Sequence, residues 1–173
     1  VTRDVLAEGG FAAVEQEELH RLVRRYTERY VEQELHNFQN RNARFRYLFA
    51  RLRTTAYAVI DQVAAELRCS DFVPMAFELS FGGKNGALSA VTISEPDGEL
   101  RVGGKVDRVD GWLHDGRLYL RVVDYKSGKK KFDLANVRMG LDIQMLLYLF
   151  VLQKEGTEYF GKEIEPAGVL YIP

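Results

Sequence analysis

Two short stretches carry the residue types that could do chemistry: Gly104-Lys105-Val106-Asp107, and Val123-Asp124-Tyr125-Lys126-Ser127. Together they offer two carboxylates and one ammonium. That set suits phosphodiester hydrolysis assisted by Mg²⁺, a hard cation that takes oxygen ligands and retains several waters. Two aspartates could hold such an ion and leave positions open for a phosphate and an attacking water. The ion would lower the water's pKa and neutralise phosphate charge, and the lysine could position or deprotonate the water or stabilise developing charge.

The set works only if the chain brings it together. A first strand is expected from Leu100 to Trp112, a turn at His114-Asp115-Gly116-Arg117, and a second strand from Leu118 to Lys126. An Asp-Gly pair between apolar runs is a strong hairpin signal. Side chains alternate along a strand, so Asp124 and Lys126 share one face and Tyr125 points to the other. A pairing that sets Asp107 beside Asp124 would make all three charges converge at one sheet end. An isolated Asp-x-Lys is usually a surface ion pair contributing about 0–1 kcal/mol. Here it follows the apolar pair Val122-Val123 and has a hairpin partner that also carries an aspartate. Those are features of a buried strand and favour the catalytic reading.

Other elements follow from periodicity. Val14 to Phe38 reads as a helix with Leu19, Leu22, Val23, Tyr26, Tyr30 and Leu35 on one side, and Asn37 to Asn42 as a polar break. Phe45 to Leu67 reads as a second helix, with a stripe that includes Phe45, Leu48, Phe49, Leu52, Ile60, Val63 and Leu67. Strands are expected at Met75–Phe81, Leu88–Ser94 and Gly168–Ile172, and one long helix from Asp133 to Gln153. Three hairpin-linked strand pairings followed by a helix and a last strand give an α/β fold with mixed pairing, on which the two N-terminal helices would pack. The glycine-rich turn Gly82–Gly86 lacks the G-x-x-x-x-G-K-[ST] spacing of a nucleotide-binding loop and reads as a hairpin turn.

The order G-x-x-D (Gly104 to Asp107), then D-x-K (Asp124 to Lys126), then Q-x-x-x-Y (Gln144 and Tyr148) resembles the PD-(D/E)XK nuclease superfamily, in its RecB-like branch. The strings GGKVDRVDGW, VVDYKSGKKKFDLANVRMGLDIQMLLYLF and FVPMAFELSFG look most like the C-terminal nuclease domain in the B subunit of AddAB-type ATP-dependent helicase/nucleases. The likeness covers roughly Arg41 to Pro173. It implies a restriction-endonuclease-like core with a mixed β-sheet flanked by helices, plus an N-terminal helical pair. The whole of 1–173 would form one nuclease domain fragment, with 1–69 its helical part and 70–173 its α/β core. By the same resemblance, Asp107 and Asp124 are metal ligands, the backbone carbonyl of Tyr125 is a further ligand, and Lys126 is the catalytic lysine. Gln144 and Tyr148, four apart on one helix face, would orient DNA or Lys126. Glu78 matches a glutamate of the first core strand, as a secondary ligand or a structural partner. The implied cofactor is Mg²⁺ or Mn²⁺. The implied partners are DNA and the companion A-type helicase/nuclease subunit, in the bacterial cytoplasm, during double-strand break repair and recombination.

The chain departs from that family in two ways. The branch carries an upstream His in a G-x-x-x-H pattern, absent here: His20 and His36 lie in a charge-dense helix and read as surface histidines, and His114 lies in a turn. The B-type family also holds a 4Fe–4S cluster on four cysteines, and Cys69, a helix-end residue, cannot ligate one alone. With Val1 in place of a starting Met, the chain is expected to be a fragment of a longer protein, with the His and the cluster cysteines outside it. Activity of the isolated fragment is therefore not implied.

Composition bounds the rest. A length of 173 residues suits one domain with a real core. A single cysteine excludes a disulfide framework and suits a reducing compartment. No apolar run approaches the ~20 residues that span a bilayer, and no signal-peptide pattern opens the chain. The net charge of −1 is not that of a general DNA-binding protein, so local patches matter more. Lys126, Lys129, Lys130, Lys131 and Arg138 form one candidate DNA-contact group, and Arg41, Arg44, Arg46, Arg51 and Arg53 a second. Two other functional readings stand beside the nuclease: a catalytically silent DNA-binding or scaffold module, and a stand-alone or CRISPR-associated RecB-like exonuclease.

Overall fold

The computed structural model of the protein describes residues 1–34, 42–83, 86–96, 98–126, 128, 133–141 and 143–172. They form two compact units, Val1–Ser70 and Asp71–Pro173. The first holds three helices: α1 (Thr2–Ala7), α2 (Gln16–Gln33) and α3 (Ala43–Arg68). Asn42 caps α3 by accepting the Phe45 N–H at 2.9 Å. Leu19, Leu22 and Val23 of α2 are buried, as are Ile60, Val63, Ala64 and Leu67 of α3. His20 is not a bare surface histidine: its Nε2 lies 2.8 Å from Asp61 Oδ1, and its ring stacks on Tyr57. The expected apolar stripe of α3 is buried only in its C-terminal half, since Leu48 and Leu52 remain exposed. The short α1 was not expected from the sequence, because six residues are too few for a periodic signal.

The second unit is built on a four-stranded mixed sheet of order β1-β4-β5-β6. Its strands are β1 (Val73–Phe81), β4 (Gly104–His114), β5 (Arg117–Tyr125) and β6 (Ile164–Ile172). β1, β4 and β5 run antiparallel, and β6 joins β5 in parallel. That last pairing needs a crossover, supplied by α4 (Leu134–Arg138) and α5 (Gln144–Phe160). Met145, Leu149, Val151 and Leu152 of α5 pack with Leu118, Leu120, Val122 and Ile164 in one core.

Three expectations are corrected. The single strand Leu100–Trp112 is two: β3 (Gly98–Val102) pairs with β2 (Val91–Glu95) in a separate ribbon, and β4 belongs to the main sheet. The break falls at Gly103, where the chain turns close over Gly82: a Cβ on Gly82 would lie 2.7 Å from the Gly103 Cα. β1 therefore pairs with β4 across an inserted ribbon, not with its immediate neighbour in sequence. Strand β2 starts at Val91, and Leu88 makes an isolated bridge to Phe81 instead. The long helix from Asp133 is divided: α4 is capped by the Asp133 carboxylate and ends before Gly140, which sits at φ 79°. Only a residue tolerant of that left-handed conformation fits there, and it stops the helix.

The hairpin that joins β4 to β5 is as the Asp-Gly signal requires. Asp115 and Gly116 both have positive φ, 47° and 79°, which matches a two-residue turn of the I′ type.

Candidate metal and nuclease site

The site lies where the β4–β5 ladder gives out. Their register runs from His114↔Arg117 to Arg108↔Val123, and one further step along it would set Asp107 opposite Asp124. The Asp107 carboxylate closes this end of the pairing: its Oδ2 accepts the backbone N–H of Tyr125 at 3.1 Å. On the other side β6 continues the sheet, through Asp124↔Tyr171, Tyr125↔Ile172 and a 2.8 Å bond from the Lys126 N–H to the Ile172 carbonyl. Asp107 therefore lies beside β5 at its Asp124–Tyr125 step, against the strand end that carries Lys126.

Lys126 joins them. Its Nζ lies 2.7 Å from Asp124 Oδ2, with the aspartate side chain 13% exposed and the lysine 34%. The ammonium is held by its neighbour two residues back and still reaches solvent. A cavity of about 380 Å³ opens beside it, lined by Lys126, Gly103, Gln144, Tyr148 and Tyr171 among others. Gln144 and Tyr148 meet as helical spacing requires, with Gln144 Nε2 donating to the Tyr148 hydroxyl at 2.6 Å. The Tyr148 ring meets Phe81 edge to face at 5.2 Å between centroids. Gly104 makes room for it, since a Cβ there would sit 2.9 Å from the phenol oxygen. The glycine of the G-x-x-D string is therefore a matter of space beneath α5, not of backbone dihedral.

Glu78 stands opposite Asp107, because Phe77↔Arg108 and Leu79↔Val106 flank that position. It adopts φ 55°, uncommon for a residue other than glycine. Ala76 and Leu79, three apart, both join the core, which strict alternation forbids, and the left-handed residue between them turns the strand over. The Glu78 carboxylate pairs with Lys105, both being well exposed. Arg138 is exposed on α4. Lys129, Lys130, Lys131 and Arg41 lie outside the described residues. Among the described residues, no group of three or more His, Cys, Asp or Glu side chains is placed to hold a metal. Two carboxylates with the Tyr125 main-chain carbonyl would offer an all-oxygen donor set, the kind a hard divalent cation takes.

One cluster was not anticipated from the sequence. On the opposite face of the sheet, Arg108 and Asp110 are both fully buried. Arg108 binds the Asp110 carboxylate through Nε at 2.8 Å and Nη2 at 2.9 Å, and Arg121 reaches the same carboxylate through Nε at 2.9 Å. Arg108 Nη1 also donates to the Tyr125 hydroxyl at 2.8 Å. Burial pushes the Tyr125 phenol up from its usual pKa, against the opposing pull of the Arg108 charge. The available signal was Asp107-Arg108-Val109-Asp110, a charge run inside an otherwise apolar strand, where period two puts Arg108 and Asp110 on one face.

A family model of the PD-(D/E)XK nuclease superfamily matches residues 6–173. Similar curated proteins are named as the B subunit of an ATP-dependent helicase/deoxyribonuclease. The one from Clostridium tetani is 34% identical over 134 residues, 77% of this chain and 12% of that protein. The one from Lysinibacillus sphaericus is 35% identical over 158 residues, 90% of this chain and 14% of that protein. The one from Acetivibrio thermocellus is 38% identical over 130 residues, 75% of this chain and 11% of that protein. The chain thus spans about an eighth of the length of these relatives. With a mixed four-stranded sheet flanked by helices and a superfamily match over nearly its whole length, the chain belongs to the PD-(D/E)XK nucleases.

Proposed function

We propose that this chain is the metal-dependent deoxyribonuclease domain in the B subunit of a helicase/nuclease, cutting phosphodiester bonds of a DNA strand during double-strand break repair and recombination. Residues 1–69 and 70–173 would be the helical part and the α/β core of one nuclease domain. The observation that carries the reading is the Asp107 carboxylate on the Tyr125 N–H at 3.1 Å, just past the paired register, with the Lys126 ammonium 2.7 Å from Asp124. Two acids and a lysine at one open sheet end make an unusual structural ion pair, and the neighbouring cavity provides room for a ligand.

Asp107, Asp124 and the Tyr125 main-chain carbonyl would hold Mg²⁺ or Mn²⁺. When bound, the ion would supply water activation and charge neutralisation at the phosphate. Lys126 would turn its ammonium from Asp124 toward the phosphate, orient the attacking water and offset negative charge as the bond breaks. Gln144 and Tyr148 would line the approach of the strand, with Lys129, Lys130 and Arg138 as phosphate contacts. Glu78, opposite Asp107 in register, would serve as a secondary ligand once free of Lys105. The protein partner would be the companion A-type subunit, carrying further helicase and nuclease activity, in the bacterial cytoplasm. Among the described residues, no helix is long and apolar enough to cross a membrane.

The test is cleavage of single-stranded DNA by the full-length protein with Mg²⁺ or Mn²⁺, compared with Asp107→Ala, Asp124→Ala and Lys126→Ala. Loss of nuclease activity with retained DNA binding is expected for each. Undiminished cleavage by Asp124→Ala would overturn the reading, and would favour a scaffold role for this domain with cutting done elsewhere.

A further inference from the structure

Four side chains of the second unit form a polar cluster that takes no direct part in the chemistry above, in which Tyr125 enters only through its main-chain carbonyl. Arg108 and Asp110 are fully buried, Arg121 shares the Asp110 carboxylate, and Arg108 donates to the Tyr125 hydroxyl. Burying such a set is expensive, and apolar residues of similar volume often serve stability as well or better. Stability alone therefore explains the cluster poorly, and its location suggests a use. Tyr125 is the residue between Asp124 and Lys126, and its side chain leaves the strand on the opposite face.

We propose that the Arg108–Asp110–Arg121 cluster is a positioning device that sets the backbone roll of residues 124–126 from behind the sheet. This rests on the metal-site reading above. The paired register of β4 with β5 stops at Arg108↔Val123, one step short of the site. Beyond it, two side-chain bonds tie Tyr125 to β4. On the front, Asp107 Oδ2 accepts its N–H at 3.1 Å, and on the back Arg108 Nη1 donates to its hydroxyl at 2.8 Å. The Arg108 guanidinium also lies 5.7 Å from the Tyr125 ring centroid. Asp110 holds Arg108 through a hydrogen bond from Nη2 at 2.9 Å, with Nε at ion-pair distance, and Arg121 shares the same carboxylate through Nε.

The consequence follows from strand geometry. Rotation of the peptide plane at 125 would swing the Tyr125 carbonyl and carry the Asp124 and Lys126 side chains with it. The Lys126 N–H bond to the Ile172 carbonyl holds this plane on the β6 side, and the ring locked on the far face adds a restraint on the β4 side, where ladder bonds no longer reach. The cluster thus supports the metal donors from the outer shell, as hydrogen-bond partners of ligands do at metal sites generally.

The test uses Tyr125→Phe, which keeps the ring and removes only the acceptor, and Arg108→Lys, which keeps the charge and loses the guanidinium that reaches Asp110 and Tyr125 together. Mn²⁺ titration of the full-length protein, followed by electron paramagnetic resonance, reads the site without turnover, and Asp124→Ala identifies the signal that belongs to it. The metal concentration for half-maximal cleavage is measured alongside. Both variants are expected to weaken Mn²⁺ binding at this site about tenfold, the lower end for outer-shell changes, and to raise the half-saturating metal concentration in parallel. Tyr125→Phe should do so with its melting temperature close to that of the wild type. Wild-type affinity in a folded Tyr125→Phe protein would overturn the positioning role and leave the metal site standing. A wild-type signal unchanged by Asp124→Ala would instead remove the metal site itself, and the inference with it.

Discussion

The Lys126 ammonium rests 2.7 Å from Asp124 Oδ2, two residues back on the same strand and face. A lysine that only paired with this carboxylate, which is 13% exposed, would cost stability when replaced and leave turnover by the folded protein intact. A lysine that meets the reacting phosphate would cost turnover itself. Lys126→Met is expected to lower kcat about 10²–10³-fold, the usual loss for one transition-state charge partner. Mn²⁺ binding should stay near the wild-type level. Single-turnover cleavage at saturating metal, together with a metal titration, separates the two effects.

Asp107→Asn keeps an oxygen that can accept the Tyr125 N–H, so the strand end should hold. The charge that grips a cation is lost. Metal affinity is expected to fall by more than about 100-fold, beyond the range for outer-shell partners, with the melting temperature nearly unchanged. Calorimetric titration with Mn²⁺ and a thermal melt check both halves.

Gly104→Ala tests why the motif carries a glycine. The added Cβ would meet the Tyr148 ring and hydroxyl at 2.9 Å and Phe81 Cζ at 3.1 Å. Overpacking of this kind costs about 1–3 kcal/mol. Tyr148 would be pushed from its bond with Gln144. Reduced stability in urea, with a raised KM for DNA, is the expected result, and the added cost of Gly104→Ala should shrink when it is measured in a Tyr148→Ala background.

Glu78 has φ 55°, where a β-branched side chain is strained. Glu78→Val should destabilise the protein by about 1–3 kcal/mol. Glu78→Gly should change stability little, because relief of strain offsets its greater unfolded-state freedom and the loss of an exposed pair with Lys105. Thermal denaturation of the two variants gives the comparison.

Asp110 lies buried between two guanidinium groups. Asp110→Ala would leave both arginines without that carboxylate, and breaking a buried pair in this way costs about 3–5 kcal/mol. A large fall in the urea midpoint is expected. A loss below about 1 kcal/mol would mean that the arginines relax to water.

Some of this was legible in the residues alone. Asp115-Gly116 dictated a tight hairpin because few pairs tolerate two positive φ angles, and alternation put Asp124 and Lys126 on one side with Tyr125 on the other. The four-residue spacing of Gln144 and Tyr148 likewise required them to meet on a helix. These are local rules, fulfilled within a few bonds of the chain. Tertiary structure decided what local rules do not reach. It split the strand at Gly103 and sent β3 and β4 to different sheets, since the choice of partner depends on what packs against each strand. It divided the helix at Gly140, and it selected β6 as the parallel neighbour of β5. Above all, it joined Arg108, Asp110, Arg121 and Tyr125 across two strands. A buried charge is tolerable only where partners distant in sequence converge on it, and such convergence is a property of the folded sheet, not of either strand.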